Sequence, residues 1–425
     1  IRALELKPEL EDIHLAVEKY VIDDVGEKVG GKLHTAKSRN DQVAAAIRMG
    51  LRREILEIRG ELLGLIGSTL KLARRHTKTI MPGYTHLQVA QPTTFAHYLL
   101  AYTWHFSRDL DRLSQAYVET NSCPMGACAL AGTGFSVDRR QVAQLLGFDG
   151  VAENTMDAVG SRDFALQAMS SLAVLMMSLS RLAEELVLWS SAEFDMVELP
   201  EEFASPSSIM PQKKNPVVAE IARAKAGRSV GNLTGALFVM KALPQSYSLD
   251  LQELTPLLWD AVDQTKATLG VISRVVNAVK PKRGVMRKRA EEGFAAATEL
   301  ADVLVREADL SFREAHAVVG RMVTEALREG KSMRELKVDD LQAASRRVLR
   351  KGVQLSEGKM RKALDLEECV KKRSLPGGPA PGAVRKQLNQ LRKVAEKHRK
   401  AISERKKALA KAEKSLSKSA RRKVS

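Results

Sequence analysis

Aromatic residues make up only 4% of this 425-residue chain, and no run of eighteen apolar residues is free of charge. The second absence excludes a membrane-spanning helix, since even the most apolar stretch is interrupted by Arg181, Glu184 and Glu185. The first, with Leu, Ala, Lys, Arg and Glu abundant, favours helix over sheet. Cysteine is scarce as well. Cys123, Cys128 and Cys369 form no CxxC pair and leave an odd one over, which excludes a disulfide framework and a structural zinc site and fits a reducing cytoplasm. The chain has no GxGxxG, no P-loop, no βαβ alternation and no internal repeat of 20 to 50 residues, so dinucleotide and P-loop chemistry are not expected. Nothing calls for a cofactor or a metal.

Acidic residues are missing from one place in particular. Residues 371–425 hold 19 Lys and Arg against three Glu, so of the net charge of +17 only +1 belongs to residues 1–370. The charge is that of a tail, and a nucleic-acid role for the whole chain does not follow; a solvated or frayed basic helix over 396–425 is expected.

Long segments also lack helix breakers. Residues 44–80 contain no proline and set Ile55, Ile58, Leu62, Leu65, Thr69 and Leu72 three or four apart, one apolar seam on a long helix. From Ser161 to Leu199 there is neither Gly nor Pro, and Ala168, Leu172, Leu175, Leu179, Leu182, Leu186 and Trp189 repeat at heptad spacing. A helix of about 35 residues there would be about 50 Å long. Met169, Met176 and Met177 lie off that seam, so more than one face seeks burial, as in a bundle shared between subunits. The chain reads as all-α, with a remnant of an N-terminal domain over 1–43, a central helical bundle over 44–284, a smaller helical domain over 285–395 and the basic tail over 396–425.

The most informative segment is Ser207-Ser208-Ile209-Met210-Pro211-Gln212-Lys213-Lys214-Asn215-Pro216. Pro200, Pro206, Pro211 and Pro216 forbid regular helix there. Asn215 then suits an N-cap and Pro216 a first helical position. Two hydroxyls and two ammonium groups beside a helix N-terminus favour a carboxylate or phosphate.

This decapeptide resembles the GSSxMPxKxNP signature of the fumarase/aspartase superfamily, and its Gln-Lys-Lys-Asn-Pro ending is similar to the argininosuccinate lyase branch. Ser38-Arg39-Asn40-Asp41-Gln42-Val43, preceded by Gly30-Gly31-Lys32-Leu33-His34-Thr35, resembles the SRNDQV motif of that branch. Pro82-Gly83-Tyr84-Thr85-His86-Leu87-Gln88 with Ala90-Gln91-Pro92 resembles its PGYTHLQ…AQP segment. Further similarities are Glu11-Asp12-Ile13-His14, Ala129-Leu130-Ala131-Gly132-Thr133, Ser161-Arg162-Asp163-Phe164, Asp250-Leu251-Gln252-Glu253 and Gly378-Pro379-Ala380-Pro381.

The resemblance implies a long-helix bundle of the fumarase/aspartase type, a homotetramer with active sites shared between subunits, and cleavage of argininosuccinate to fumarate and arginine. It implies Ser207 as the base, His86 as general acid oriented by Glu220, and Lys213 and Asn215 as partners of the developing anion. Ser38, Arg39, Asn40 and Thr85 are implied to hold the fumarate half, and Tyr247 and Gln252 to line the arginine half. Read alone, Ser207 is a loop hydroxyl capping a turn.

The chain departs from the family pattern in places. Pro206 stands where the family has Gly, which stiffens a loop expected to close. Thr255 stands where a lysine contact to the amino-acid end of substrate is usual, and several tens of residues of the pattern have no counterpart upstream of Ile1. The alternatives are another fumarate-releasing lyase of the superfamily, or a non-catalytic helical assembly with a nucleic-acid-binding tail.

Overall fold

The computed structural model describes residues 12–422, so Glu11 of the first motif lies outside the described residues. Two short helices, α1 (Ile13–Val25) and α2 (Glu27–Gly30), lead into α3 (Arg39–Arg75). A hairpin of β1 (Ile80–Thr85) and β2 (Gln88–Thr94) turns the chain into α4 (Phe95–Thr120). A cap of β3 (Ser122–Cys123), α5 (Arg139–Leu146), β4 (Gly150–Val151) and α6 (Thr155–Gly160) precedes α7 (Asp163–Ser190). The next connection carries β5 (Val197–Glu198), β6 (Ser205–Pro206) and β7 (Lys214–Asn215), then come α8 (Val217–Met240), α9 (Leu251–Ala278) and β8 (Lys280–Pro281). The remaining helices are α10 (Arg283–Glu292), α11 (Ala297–Glu307), α12 (Phe312–Arg328), α13 (Val338–Leu349), α14 (Glu357–Leu364), α15 (Leu366–Lys372) and α16 (Pro381–Arg422). The chain is all-α, as its composition implies, with only small two-stranded ladders among the described residues.

The long helices form where the apolar seams place them. Ile55, Ile58, Leu62, Leu65 and Thr69 of α3 are fully buried, as are Ala168, Leu172, Leu175 and Leu179 of α7. The starts and stops differ from expectation for local reasons. Helix α3 begins at Arg39 rather than 44, because the Ser38 hydroxyl accepts from the Asn40 N–H (3.3 Å) and the Asp41 carboxylate accepts from the Ser38 N–H (3.0 Å), a capping box. Helix α7 stops at Ser190, where the Ser191 hydroxyl donates to the Leu188 carbonyl (2.8 Å) and the chain then turns through Asp195 at φ 47°. Its 28 residues span about 42 Å, not the expected 50. Met169 and Met176 are buried within this one chain; only Met177 reaches solvent.

Side-chain pairs fix the directions of the bundle. Near the start of α3, Arg48 donates to the Glu119 carbonyl at the end of α4 (2.9 Å), so these two run antiparallel. The guanidinium of the same Arg48 lies 3.8 Å over the Phe164 ring at the start of α7, so α3 and α7 run parallel. Glu184 of α7 pairs with Arg223 of α8, and Arg228 of α8 with Asp260 of α9 (2.8 Å), each antiparallel. Burial pulls the Arg48 and Arg162 guanidinium groups down to about 10; both find carbonyl oxygens in place of water.

Residues 290–370 build a second core around Leu300, Leu304, Val318, Met322, Leu341 and Cys369. Helix α16 leaves it and returns to the first core through Val384, Leu391, Ala395 and Ile402. The expected division at 395/396 therefore falls inside one unbroken helix. The first half of the supposed tail is docked: His398 and Ile402 are buried, and Arg405 pairs with Asp149 at 2.8 Å.

Gly160 ends α6 against the backbone of Ser246, where a Cβ would stand 2.6 Å from both the nitrogen and the oxygen. Backbone cannot move aside as a side chain can, so Gly160→Ala is expected to cost about 1–3 kcal/mol. A lowered midpoint in thermal or urea unfolding checks this, and a wild-type midpoint contradicts it.

Candidate active site

The signature loop is closed at its base by the β6–β7 ladder, Ser205 opposite Asn215 and Pro206 opposite Lys214. This places Asn215 in the ladder, so Pro216, not Asn215, is the residue preceding the helix, and α8 starts at Val217, one residue later than the sequence suggests. Pro206 is pinned at the mouth of the loop. Inside, the Ser207 oxygen accepts two backbone N–H bonds, from Ile209 (3.2 Å) and Met210 (3.0 Å). The Ser207 N–H donates to the Lys213 carbonyl (3.3 Å), and the Lys213 N–H to that of Met210 (3.1 Å). Two amide dipoles thus converge on one hydroxyl oxygen and favour negative charge there. The Lys214 ammonium is engaged by Glu201 (3.0 Å). Glu220 lies in the first turn of α8 and is exposed, and Ile209 at the loop tip is 86% exposed.

Thr85 and His86 occupy the tip of the β1–β2 hairpin, where Thr85 pairs with Gln88 and only His86 and Leu87 make the turn. Both have left-handed backbones, φ 54° and 55°. Such a turn normally takes Asn or Gly, and two larger residues there store on the order of 1–2 kcal/mol each. Strain of that kind concentrates at functional sites. His86 opens onto a cavity of about 400 Å³ with Tyr98, Tyr102, Arg181 and Glu185 on its walls. The Tyr98 and Tyr102 hydroxyls both donate to one Glu185 oxygen, at 2.8 and 2.9 Å. Burial raises the Glu185 carboxyl above its ordinary range.

At the opposite end of the bundle, Ser38, Arg39 and Asn40 open α3. Arg39 pairs with Asp12 (3.4 Å), and the Asn40 amide donates to the Ala129 carbonyl (3.1 Å). Asp41, which the sequence reading passed over as a candidate, organises this corner: its buried carboxylate accepts from the Gly126 and Cys128 N–H groups (3.0 and 2.9 Å) and so ties the start of α3 to the turn that leads into Ala129. The S-x-x-D spacing before an apolar run was the signal for it. Tyr247, in the connection before α9, and Gln252, in its first turn, touch through the Gln252 amide, which donates to the Tyr247 hydroxyl (3.2 Å).

One chain does not bring all these residues together. The 24 residues of α8 separate the Ser207 loop from Tyr247 by about 36 Å, and the 37 residues of α3 separate Arg39 from the His86 hairpin by about 55 Å. Ser207, Lys213, Asn215 and Glu220 share one end with Thr85 and His86, yet no hydrogen bond or ion pair joins these two groups among the described residues. No group of three or more metal-ligating side chains occurs among the described residues.

A family model described as Lyase matches residues 1–231, and one described as Argininosuccinate lyase C-terminal matches residues 294–371. An argininosuccinate lyase of Methanosarcina mazei is 46% identical over 389 residues, covering 91% of this chain and 78% of that protein. One of Pelotomaculum thermopropionicum is 48% identical over 385 residues, covering 91% and 82%. Among solved structures, an EDDS lyase variant with bound fumarate superposes with a TM-score of 0.92 at 33% identity, covering 96% of this chain and 82% of that one. A class II fumarase from Schistosoma mansoni shares the fold, with a TM-score of 0.66 at 19% identity over 78% of this chain and 70% of its own.

The raised Glu185 carboxyl has a consequence for stability. Between the ordinary 4.5 and its raised value the folded chain holds more protons than the unfolded one, so stability falls as pH rises through that window. Glu185→Gln is expected to flatten this slope, read as the urea midpoint against pH; an unchanged slope contradicts it.

Proposed function

This chain belongs to the argininosuccinate lyase family of the fumarase/aspartase superfamily, and from that premise we propose how its residues work. It is a carbon–nitrogen lyase that splits argininosuccinate into fumarate and arginine by anti β-elimination, the last step of arginine biosynthesis. The identity of 46–48% to argininosuccinate lyases over about nine-tenths of the chain carries this reading.

The difficult step is loss of a proton from carbon next to a carboxylate that is already ionised, because the charge on that carboxylate then doubles. Catalysis must hold donors and cations where this charge grows. Ser207 takes the proton. A free serine hydroxyl is far too weak a base at neutral pH, and the Ile209 and Met210 N–H groups aimed at its oxygen stabilise the alkoxide form, with Lys213 in the same loop adding positive charge. Asn215 and Lys213 steady the doubly charged intermediate. His86 then protonates the departing guanidinium nitrogen, with Glu220 orienting the ring. Arg39, whose fork suits a carboxylate, holds the fumarate half with Ser38, Asn40 and Thr85. Tyr247 and Gln252 hold the arginine half, the role that a lysine at Thr255 would otherwise share.

The working form is a cytoplasmic homotetramer. Ile221, Val230, Leu237 and Phe238 stand 49–65% exposed on α8. Burying what remains exposed of each against another copy contributes about 1–2 kcal/mol. Packing α8 of one chain antiparallel to that of another sets the Ser207 end of the first beside the Arg39 end of the second. Each site is then completed by residues of different subunits.

Ser207→Ala, Arg39→Ala and His86→Asn are each expected to lower the rate of fumarate release by about 10²–10⁴. Co-refolded Ser207→Ala and Arg39→Ala chains regain a measurable part of the activity, because some sites in the mixed assembly draw both intact residues. Failure of the mixture to exceed either parent rules out sites shared between chains, and a wild-type enzyme that releases no fumarate from argininosuccinate rules out the substrate.

A further inference from the structure

Between the last turns of α3 and the first half of α16 runs an open groove of about 910 Å³. Lys71, Arg74 and Arg75 line one wall and Arg385, Arg392 and Arg399 the other, and no carboxylate is among its lining residues. The floor is apolar, made by Leu70, Leu388 and Ala395. Gly67 keeps it wide: a Cβ there would meet nothing within 4 Å, so no packing requirement explains a residue that weakens the helix by about 1 kcal/mol relative to Ala. Glu396, on the same stretch of α16, is engaged by Arg392 at 3.7 Å.

Arg392 apart, these cations have no ion-pair partner among the described residues, and an anion lying between the two walls relieves their mutual repulsion. Their spacing says what kind of anion. Arg385, Arg392 and Arg399 follow at seven-residue intervals, and Lys406 continues the series, so the charges recur about every 10 Å along one slowly drifting face, about 30 Å in all. That suits a long, evenly charged chain better than a compact metabolite. Five of the six lining cations being exposed arginines on facing walls, pairs of phosphate oxygens can be held bidentately. No aromatic side chain lines the groove, so nothing there stacks a nucleobase.

We propose that this groove binds linear inorganic polyphosphate. The site is separate from the lyase chemistry: α16 packs on α3, α4 and α5, whereas α8 packs on α7 and α9, so the groove and the exposed apolar residues of α8 lie on elements that do not adjoin.

Fluorescence anisotropy of labelled polyphosphate with the full chain, across a salt series, tests this. Binding is expected to be saturable and to weaken linearly in log–log form with added salt. The triple variant Arg74→Gln, Arg392→Gln, Arg399→Gln is expected to weaken it by more than about tenfold, while Lys411→Gln, Lys414→Gln, Lys418→Gln, which removes equal charge outside the groove, changes it by less than about threefold. Gly67→Met leaves every charge in place and fills the floor, so it too weakens binding and reports on the groove should the triple variant fold poorly. Single-stranded RNA of equal phosphate number binds less tightly. Absence of saturable binding at low salt, equal losses in the two triple variants, full binding by Gly67→Met, or tighter binding of RNA than of polyphosphate would each overturn the proposal.

Discussion

A helix rises by a fixed amount per residue, and that rigidity governs the rest of this structure. Once α3, α7 and α9 run one way and α4 and α8 the other, every connecting segment is assigned to one end of the bundle or the other. The Ser207 loop and the His86 hairpin fall at one end, and the starts of α3 and α9 at the opposite end. No loop movement spans the length of α8. The polar groups of the candidate site are thus separated by the stiffest part of the molecule, which is why the proposed assembly draws each site from more than one chain.

The same helix supplies the means. Only five residues of α8 are buried within the chain, against fifteen of the similarly long α7. Ile221, Val230, Leu237 and Phe238 are the exposed apolar side chains that α8 offers to another copy in the proposed assembly, and the groove between α8 and α9 is lined by Val217, Val218, Ile221 and Val271. In the proposed assembly burial and catalysis are therefore one problem: the contact that removes this surface from water is the one that closes the sites. Arg48, Arg52 and Arg162 satisfy carbonyls at helix ends, and Glu299 gathers Arg306, Lys372 and Arg373 in the second core.

Much of this was legible in the residues. The seams of α3 and α7 follow from spacing alone, and the identities of Ser207, His86 and Arg39 as candidates follow from motifs that resemble a family. What was not legible has physical causes. The hairpin tip carries His86 and Leu87 where turn chemistry asks for Asn or Gly, so no local signal announces it. The stop of α7 has neither Gly nor Pro and depends on the Ser191 hydroxyl. Asn215 looked like a helix cap because its side chain suits one, but the ladder with Ser205 had already claimed its backbone. In α16 the abundance of Lys and Arg hid a readable seam, Val384, Leu388, Leu391, Ala395, Ile402 and Leu409, which docks a segment that charge alone would leave in solvent. Placement of the site at two ends needed the helix directions, which no single segment encodes.

Specific activity measured beside light-scattering mass, on serial dilution through the range where the assembly dissociates, tests the dependence of the site on neighbouring chains most directly. Fumarate release per chain must fall in step with loss of the tetramer mass and return on reconcentration. A species of single-chain mass that retains full specific activity would contradict it.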